Sequence, residues 1–331
     1  MKQSERKKVQ SILENIRKQH NILESLPEKE VFALLEENQG TIIELGNYVE
    51  QNMGQTAPFI RMLEEYCELV YQMFQSMKKN NRLQAAVENE RAGKKLEQAE
   101  DYYVKHLLYR KYEILFLPYK AAMWDSMESI YLAAVQNSKC RVSVMPVPYY
   151  LLEDGKKTAV YEGNRFPEGL PIVDAYQYKL KEERPDVIFI HNPYDGYNRV
   201  TRVEEQFYSS ELIKYTSHLC YVPYDVVNEN SFNETYCIVP GVRNAWKIFV
   251  QSEKLREIYA KYVGADKVVA LGSPKIDKIL KGRNGVTVPM QWEKVIGTKT
   301  VFLLNTHVSR IINEKTGAFT FFPFIVNTRF T

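Results

Sequence analysis

The sequence predicts an α/β protein in which a helical segment precedes a mainly parallel, doubly wound sheet. Two observations support this fold class. Residues 1–100 hold only two of the fourteen prolines and place apolar side chains at helical spacing. From about residue 110, short apolar runs alternate with helical patterns, which is typical of strand–helix–strand units. The length of 331 residues allows two or three domains.

The first hundred residues predict a helical arm or bundle. Six side chains form the clearest apolar stripe: Leu63, Tyr66, Cys67, Val70, Phe74 and Met77. The polar run after residue 78 predicts a solvated helix. We expect residues 1–105 to pack on the main domain or on a partner chain. A membrane-surface helix is the alternative, although lysines and arginines are mixed with glutamates here.

The remaining chain predicts strands that alternate with helices. The predicted strands are EILFLPY, RVSVMPVPYY, DVIFI, HLCYVPY, NAWKIFV and VVAL. Helices are expected over 124–136 and 173–185, and a hairpin is expected to turn at Asp154-Gly155. Ligands of such sheets bind beyond the carboxyl ends of the strands, so the loops that follow the strands are the candidate sites.

Composition excludes several classes of function. The formal net charge of +3 comes without a basic stripe, which argues against nucleic-acid binding. No apolar run reaches the length of about 18 residues that a membrane span needs. The charged N-terminal residues precede no apolar stretch, so no secretory signal is expected. The four cysteines lack metal-ligand spacing and are expected to be reduced in a cytoplasmic protein. Neither GxGxxG nor GxxxxGK[ST] is present.

The loop after DVIFI carries the densest set of reactive side chains. His191 is the candidate general base by residue type, and Asp195 is its candidate orienter. Tyr194 and Arg199 are candidate substrate-binding residues. The alternative is an ordinary turn, since Asn-Pro and Asp-Gly are common turn pairs.

Two later strand ends supply further candidates for substrate binding. Tyr224 and Asp225 follow HLCYVPY, where packing and capping are the alternative roles. Gly272, Ser273 and Lys275 follow VVAL, just where a helix begins. The free N–H groups of that helix would suit an anion.

The element order, with Gly272, Pro274, Lys275 and Asp277 in a strand–Gly-x-Pro-[Lys/Arg]-x-Asp–helix pattern, resembles the CDP-glycerol glycerophosphotransferase family. The HNPYDGYN and YVPYD segments look like a branch of it, and the likeness covers roughly residues 110–305. It implies a GT-B enzyme with two facing Rossmann-like domains. Such enzymes transfer polyol phosphate from a CDP-activated donor to a hydroxyl of a teichoic-acid-type polymer. No metal and no cofactor are expected.

The sequence departs from the family at two places. The family's Trp-His-Gly-Thr-Pro segment is replaced by YVPYDVVNENS, which has no histidine. The family's Pro-Thr-[Trp/Phe]-Arg motif is absent from TVFLLNTHVSRII, the expected opening strand and loop of the second domain. Asn305 and His307 in this segment are candidate substrate-binding residues.

The resemblance also divides the chain. It implies a helical arm over 1–105, a Rossmann-like acceptor-side domain over 106–285, and the start of a truncated nucleotide-binding domain over 286–331. We therefore expect the chain to bind CDP-glycerol weakly and to be inactive alone.

Two other functions remain open, a GT-B glycosyltransferase that uses a nucleotide sugar and a non-catalytic helical-arm scaffold. The expected partners are CDP-glycerol or a related donor and a polyol-phosphate or glycan acceptor. Peripheral contact with the inner face of the cell membrane and homo-oligomer formation are further expectations.

Overall fold

The computed structural model describes residues 1, 3–153, 155–282 and 288–301. The helices are α1 (Gln3–Asn21), α2 (Glu28–Asn52), α3 (Ala57–Lys78), α4 (Arg82–Tyr102), α5 (Glu128–Gln136), α6 (Leu180–Glu183), α7 (Ser209–Leu212), α8 (Pro240–Asn244), α9 (Glu253–Val263), α10 (Pro274–Gly282) and α11 (Met290–Ile296). The strands are β1 (Tyr112–Leu117), β2 (Cys140–Val144), β3 (Tyr149–Glu153), β4 (Lys156–Val160), β5 (Val187–Ile190), β6 (Thr201–Val203), β7 (Leu219–Tyr221), β8 (Lys247–Val250) and β9 (Val268–Ala270).

Six strands form one parallel sheet in the order β2-β1-β5-β7-β8-β9. The predicted α/β class and parallel sheet are therefore confirmed. The strand order reverses once, between β1 and β5, and this reversal is the topological switch point of a doubly wound sheet.

Alternate side chains of the strands pack on opposite faces of the sheet. On one face, Phe116 stacks on Phe189 with ring centroids 4.8 Å apart, and Tyr131 of α5 lies 6.0 Å from Phe116. On the other face, Ile190 belongs to the same apolar cluster as Leu255 of α9. Both faces are thus covered by helices, as expected for strands that read as continuous apolar runs.

A second, antiparallel sheet has the order β4-β3-β6. The predicted hairpin is present, and β6 joins it as a strand that the sequence did not predict. The prediction of one strand over RVSVMPVPYY is wrong, because the run splits into β2 and β3. Pro146 and Pro148 lie in the gap and cannot donate to a ladder.

The helix predicted over 173–185 is also wrong, since only α6 is helical there. Asp174 accepts a hydrogen bond from the Tyr176 N–H at 2.7 Å, and this side-chain turn competes with helix formation. Arg184 has a φ of +39° and ends α6 just before Pro185.

The N-terminal helices pack around their own apolar core, which includes Leu13, Leu63 and Leu96. The polar run forms a helix, α4, as predicted, but this helix is not solvated on all sides. Ala92 and Ala99 of α4 are buried. Small side chains leave little bulk between helices, so α4 packs closely on α3 despite its polar composition.

The bundle docks at the amino ends of the parallel strands. Arg6 donates to the Arg110 carbonyl at 2.7 Å and lies 3.5 Å from the Asp186 carboxylate. Asp186 also accepts the Glu113 N–H at 3.0 Å. Asp186 immediately precedes β5, and Glu113 lies at the start of β1. The carboxyl ends of the strands therefore form the edge of the sheet that points away from the bundle.

Residues Met1–Lys281 form one compact unit and Gly282–Thr331 form another. In the second unit, α11 is the helix that the structure describes. Asn305 and His307 lie outside the described residues. The predicted domain boundaries near 105 and 285 stay predictions. Within the described ranges, no helix has the length and apolar character needed to cross a membrane.

Candidate functional site

The parallel sheet places the ends of β5, β7 and β9 at one edge, as the sequence led us to expect. Four of the candidate residues, Tyr194, Asp225, Gly272 and Ser273, line a small cavity of about 30 Å³ there. This space suits one or two water molecules. Tyr194 also lines a larger open cleft together with Tyr224.

The larger cleft has a volume of about 840 Å³. Four tyrosines and one arginine dominate its lining: Tyr194, Tyr197, Tyr224, Tyr236 and Arg243. The cleft lies beside the loops that follow β5 and β7. Its volume lies in the range of small-molecule binding sites. Its lining combines phenol hydroxyls with the positive charge of Arg243.

His191 is completely buried at the end of β5. Its Nε2 accepts the Tyr119 N–H at 3.2 Å, and its Nδ1 lies 3.0 Å from the Ser126 hydroxyl. A backbone amide only donates, so Nε2 is unprotonated and Nδ1 carries the proton. Ser126 accepts that proton in a hydrogen bond and donates to the Met123 carbonyl at 2.7 Å.

The surroundings of His191 keep it neutral. Burial, aided by the charge of Lys275, lowers the pKa of His191 to about 3. Both ring nitrogens are occupied by contacts to the segment after β1, so the imidazole ties that segment to β5. The role of His191 as a general base stays a prediction. In this arrangement the Tyr119 amide occupies the nitrogen that would accept a proton.

Asp195 is directed at Ser209 rather than at His191. Its carboxylate accepts the Ser209 N–H at 2.8 Å and the Ser209 hydroxyl at 2.7 Å. Asn244 then donates to the Ser209 hydroxyl at 2.9 Å. Burial raises the pKa of Asp195, and the bonds from Ser209 oppose that rise. Through Ser209 and Asn244, Asp195 is thus linked to α8 in the cleft wall. Its carboxylate bonds Ser209 and does not make the predicted contact with His191.

A close backbone approach holds the same loop against α8. The Gly241 N–H donates to the Pro193 carbonyl at 2.7 Å. A Cβ added to Gly241 would lie 2.5 Å from the Pro193 Cα, which no side chain tolerates. Glycine at this position therefore lets Arg243 and Asn244 reach the cleft.

The tyrosines at the strand ends contact one another. The hydroxyls of Tyr194 and Tyr224 are 3.5 Å apart, and the Tyr194 ring centroid is 6.2 Å from that of Tyr236. Burial raises the pKa of both Tyr194 and Tyr224. Both phenols therefore stay protonated near neutral pH. One donates to the other, and the second hydroxyl can donate to a ligand.

Lys275 and Asp225 bring opposite charges to the same edge. Lys275 Nζ lies 3.6 Å from Asp125 Oδ1. Desolvation raises the pKa of Asp225, and Lys275 counteracts this rise. Gly272 has a φ of +93°, which glycine adopts without strain as the chain turns from β9 into α10.

The topological switch point itself is filled by the small sheet. The Tyr149 hydroxyl of β3 donates to Glu162 at 2.6 Å, and Glu162 accepts the Ala121 N–H at 2.9 Å. Burial alone would raise the pKa of Glu162, but these bonds, together with the charges of Arg165 and Lys120, lower it. The open space for a ligand therefore lies farther along the edge, beside β5 and β7.

Not every candidate joins this group. Arg199 is exposed and lies outside the lining of both the small cavity and the cleft. Sequence reasoning also missed Ser209, Tyr236, Arg243 and Asn244. They follow no strand directly. Tyr236, Arg243 and Asn244 line the cleft, and the buried Ser209 lies behind it, bonded to Asp195 and Asn244. No local pattern identifies them.

The described residues contain no group of three or more His, Cys, Asp or Glu side chains placed to hold a metal ion. No protein-family model, curated protein or solved structure matches this chain.

Proposed function

We propose that Met1–Lys281 provides the Rossmann-like, acceptor-binding half of a GT-B phosphotransferase. The reaction would move polyol phosphate from a CDP-activated donor to a hydroxyl of a cell-surface polymer. The observation that carries this proposal is the cleft of about 840 Å³ beside β5 and β7, which four tyrosines and Arg243 line together. A polyol-phosphate acceptor offers hydroxyls for the phenols and a phosphodiester for the guanidinium.

Charge supports an anionic ligand in the cleft. Arg243 is exposed, and within the described chain its guanidinium makes no hydrogen bond or ion pair. Among the described residues, no acidic side chain lines the cleft. An unpaired guanidinium among neutral donors favours phosphate, because each N–H can bond a phosphate oxygen.

The chemical step needs a base for the acceptor hydroxyl. That hydroxyl oxygen would form a bond to the β-phosphorus of the donor, the bond from this phosphorus to the bridging oxygen would break, and CMP would leave. His191 is the base implied by the sequence, but the Tyr119 N–H occupies its Nε2. Asp225 lines the small cavity at the same edge, and its exposed carboxylate is better placed to receive the proton.

Calorimetry with the full chain tests the binding half of the proposal. A glycerol-phosphate oligomer should bind more tightly than CDP-glycerol, CDP-ribitol or a UDP-sugar. Arg243→Gln should weaken oligomer binding about tenfold, since a charge-assisted bond is lost. The control Arg91→Gln changes an exposed arginine of α4 far from the cleft and should have no effect. Failure of the oligomer to bind, or no effect of Arg243→Gln, would overturn the proposal.

The same experiment separates the alternative enzyme. Tightest binding of a UDP-sugar would favour a GT-B glycosyltransferase that uses a nucleotide sugar. The proposed reaction belongs at the cytoplasmic face of the cell membrane, where a polymer acceptor would be anchored. Co-sedimentation of the chain with anionic vesicles is the measurement for that location.

A further inference from the structure

A second cavity lies in the helical bundle, away from the cleft. Its volume is about 480 Å³, and it is located where α1 and α3 end and α2 and α4 begin. Leu26, Val31, Met73 and Met77 form its apolar wall. Cavities of this size with a mostly apolar wall and a few polar groups are typical of small-molecule sites.

One polar group of the wall lacks a partner. Asn89 is only 8% exposed and lines the cavity. Its Nδ2 donates to Glu24 Oε1 at 3.2 Å. A carboxylate only accepts, so the orientation of the amide is determined, and the buried Oδ1 is an acceptor that no hydrogen bond satisfies.

Two neighbouring groups repeat this pattern. His20 Nε2 lies 3.0 Å from the Asn89 carbonyl, so Nε2 carries the proton and the buried Nδ1 is an acceptor without a partner. Burial lowers the pKa of His20 and keeps the ring neutral. Glu88 Oε1 accepts from Gln84, while the buried Oε2 has no hydrogen bond. Unpaired buried acceptors cost free energy. His20 and Glu88 do not line the cavity, so their free acceptors show only that the interior beside it is short of hydrogen-bond donors.

The charges of the wall point in the same direction. Glu24 and Glu28 line the cavity, and among the described residues Arg82 is the basic side chain beside them. Two carboxylates against one guanidinium give the wall a net negative charge, which favours a cation over an anion.

We propose that this cavity binds an amphipathic molecule with a protonated primary amine at one end and an apolar tail. The ammonium would pair with the exposed carboxylate of Glu24, and the tail would lie along Met73 and Met77. This site is independent of the proposed transferase function, because none of its residues lies near the cleft.

Calorimetry with three probes of equal chain length tests the proposal on the full chain. Octylamine should bind about tenfold more tightly than octanol, since its hydrogen bond is charge-assisted. Octanoate should bind most weakly because it faces Glu24 and Glu28. Equal or tighter binding of octanoate, or no binding of octylamine, would overturn the proposal.

Two pairs of variants locate the binding. Ala86→Trp places a large ring at an exposed position of the cavity wall and should weaken octylamine binding at least about tenfold. Leu83→Trp is the matched control, because Leu83 is 85% exposed on α4 and does not line the cavity. Glu24→Gln should weaken binding, whereas Glu30→Gln should not. If Ala86→Trp and Leu83→Trp bind octylamine equally well, the amine binds elsewhere and the proposal is wrong.

Discussion

The two buried histidines show how the bundle and the sheet edge differ. Both are buried, and burial lowers the pKa of each. His191 has hydrogen bonds at both nitrogens, whereas His20 has one at Nε2 and none at Nδ1. The fully bonded imidazole of His191 ties two segments together, whereas His20 leaves one buried nitrogen without a hydrogen bond. The residue with the strongest sequence argument for catalysis is the one with no free nitrogen.

The largest expected effect separates these histidines directly. His191→Leu should reduce the free energy of unfolding by about 3 kcal/mol, because the buried Tyr119 N–H loses its acceptor. His20→Leu should cost no more than about 1 kcal/mol, since it removes an unpaired nitrogen and leaves the Asn89 carbonyl bonded within α4. Urea denaturation of both variants measures the difference. Equal losses of unfolding free energy would mean that the difference in hydrogen bonding between His191 and His20 does not affect stability.

The next effect concerns the backbone contact that supports the cleft. Gly241→Ala should reduce the free energy of unfolding by about 2 kcal/mol, because its Cβ would overlap Pro193. The displaced α8 should also weaken oligomer binding through Arg243. Denaturation and calorimetry on the same variant test both results. Wild-type stability together with wild-type binding would show that the close approach is not required.

Acid should destabilise the protein through His191. Its pKa is lowered to about 3 when folded, against about 6.5 in an unfolded chain. The unfolded state therefore binds an extra proton as the pH falls from about 6.5 towards 3. Stability attributable to this residue is complete above that window and is lost within it by about 1.4 kcal/mol per pH unit. Denaturation curves between pH 7.5 and pH 4.5 should show a shallower dependence for His191→Leu than for the wild type. Identical slopes would contradict the assignment.

The smallest effect has the opposite sign and lies in the bundle. Gly40 is an exposed glycine inside α2, and a Cβ there would meet nothing within 4 Å. Gly40→Ala should raise the free energy of unfolding by roughly 0.5–1 kcal/mol, since alanine is the better helix former. Thermal unfolding of Gly40→Ala and Gly241→Ala, each compared with the wild type, tests whether the two glycines differ in role. A loss of stability at Gly40 would contradict the open environment described for it.

Much of the fold could be predicted from local pattern. The apolar runs identify β1 and β5, and the stripe that includes Leu63 and Val70 identifies α3. The errors occur where side chains override that pattern. Asp174 turns the chain where a helix was expected, and Ala92 lets a polar helix pack closely. Local periodicity does not report either contact.

The candidate site divides in the same way. The rule that ligands bind at the carboxyl ends of parallel strands correctly brings Tyr194, Asp225 and Gly272 to one cavity. It does not identify Arg243 or Asn244, because they are positioned by contacts with distant segments: Asn244 bonds Ser209, 35 residues earlier, and Gly241 of the same helix bonds the Pro193 carbonyl. Arg199 shares the loop of Tyr194 but lies outside the cleft lining.

The amino-acid sequence by itself determined the class of the fold, the parallel direction of the strands and the edge at which polar side chains collect. These follow from periodicity and from the handed connections of strands and helices, which are local properties. Only the tertiary structure decided which lone pairs remain free. In the folded chain both nitrogens of His191 are hydrogen-bonded, Nδ1 of His20 has no hydrogen bond, and the Asp195 carboxylate bonds Ser209. Hydrogen-bond partners in a packed interior come from distant segments, so their pairing depends on three-dimensional packing rather than on residue type.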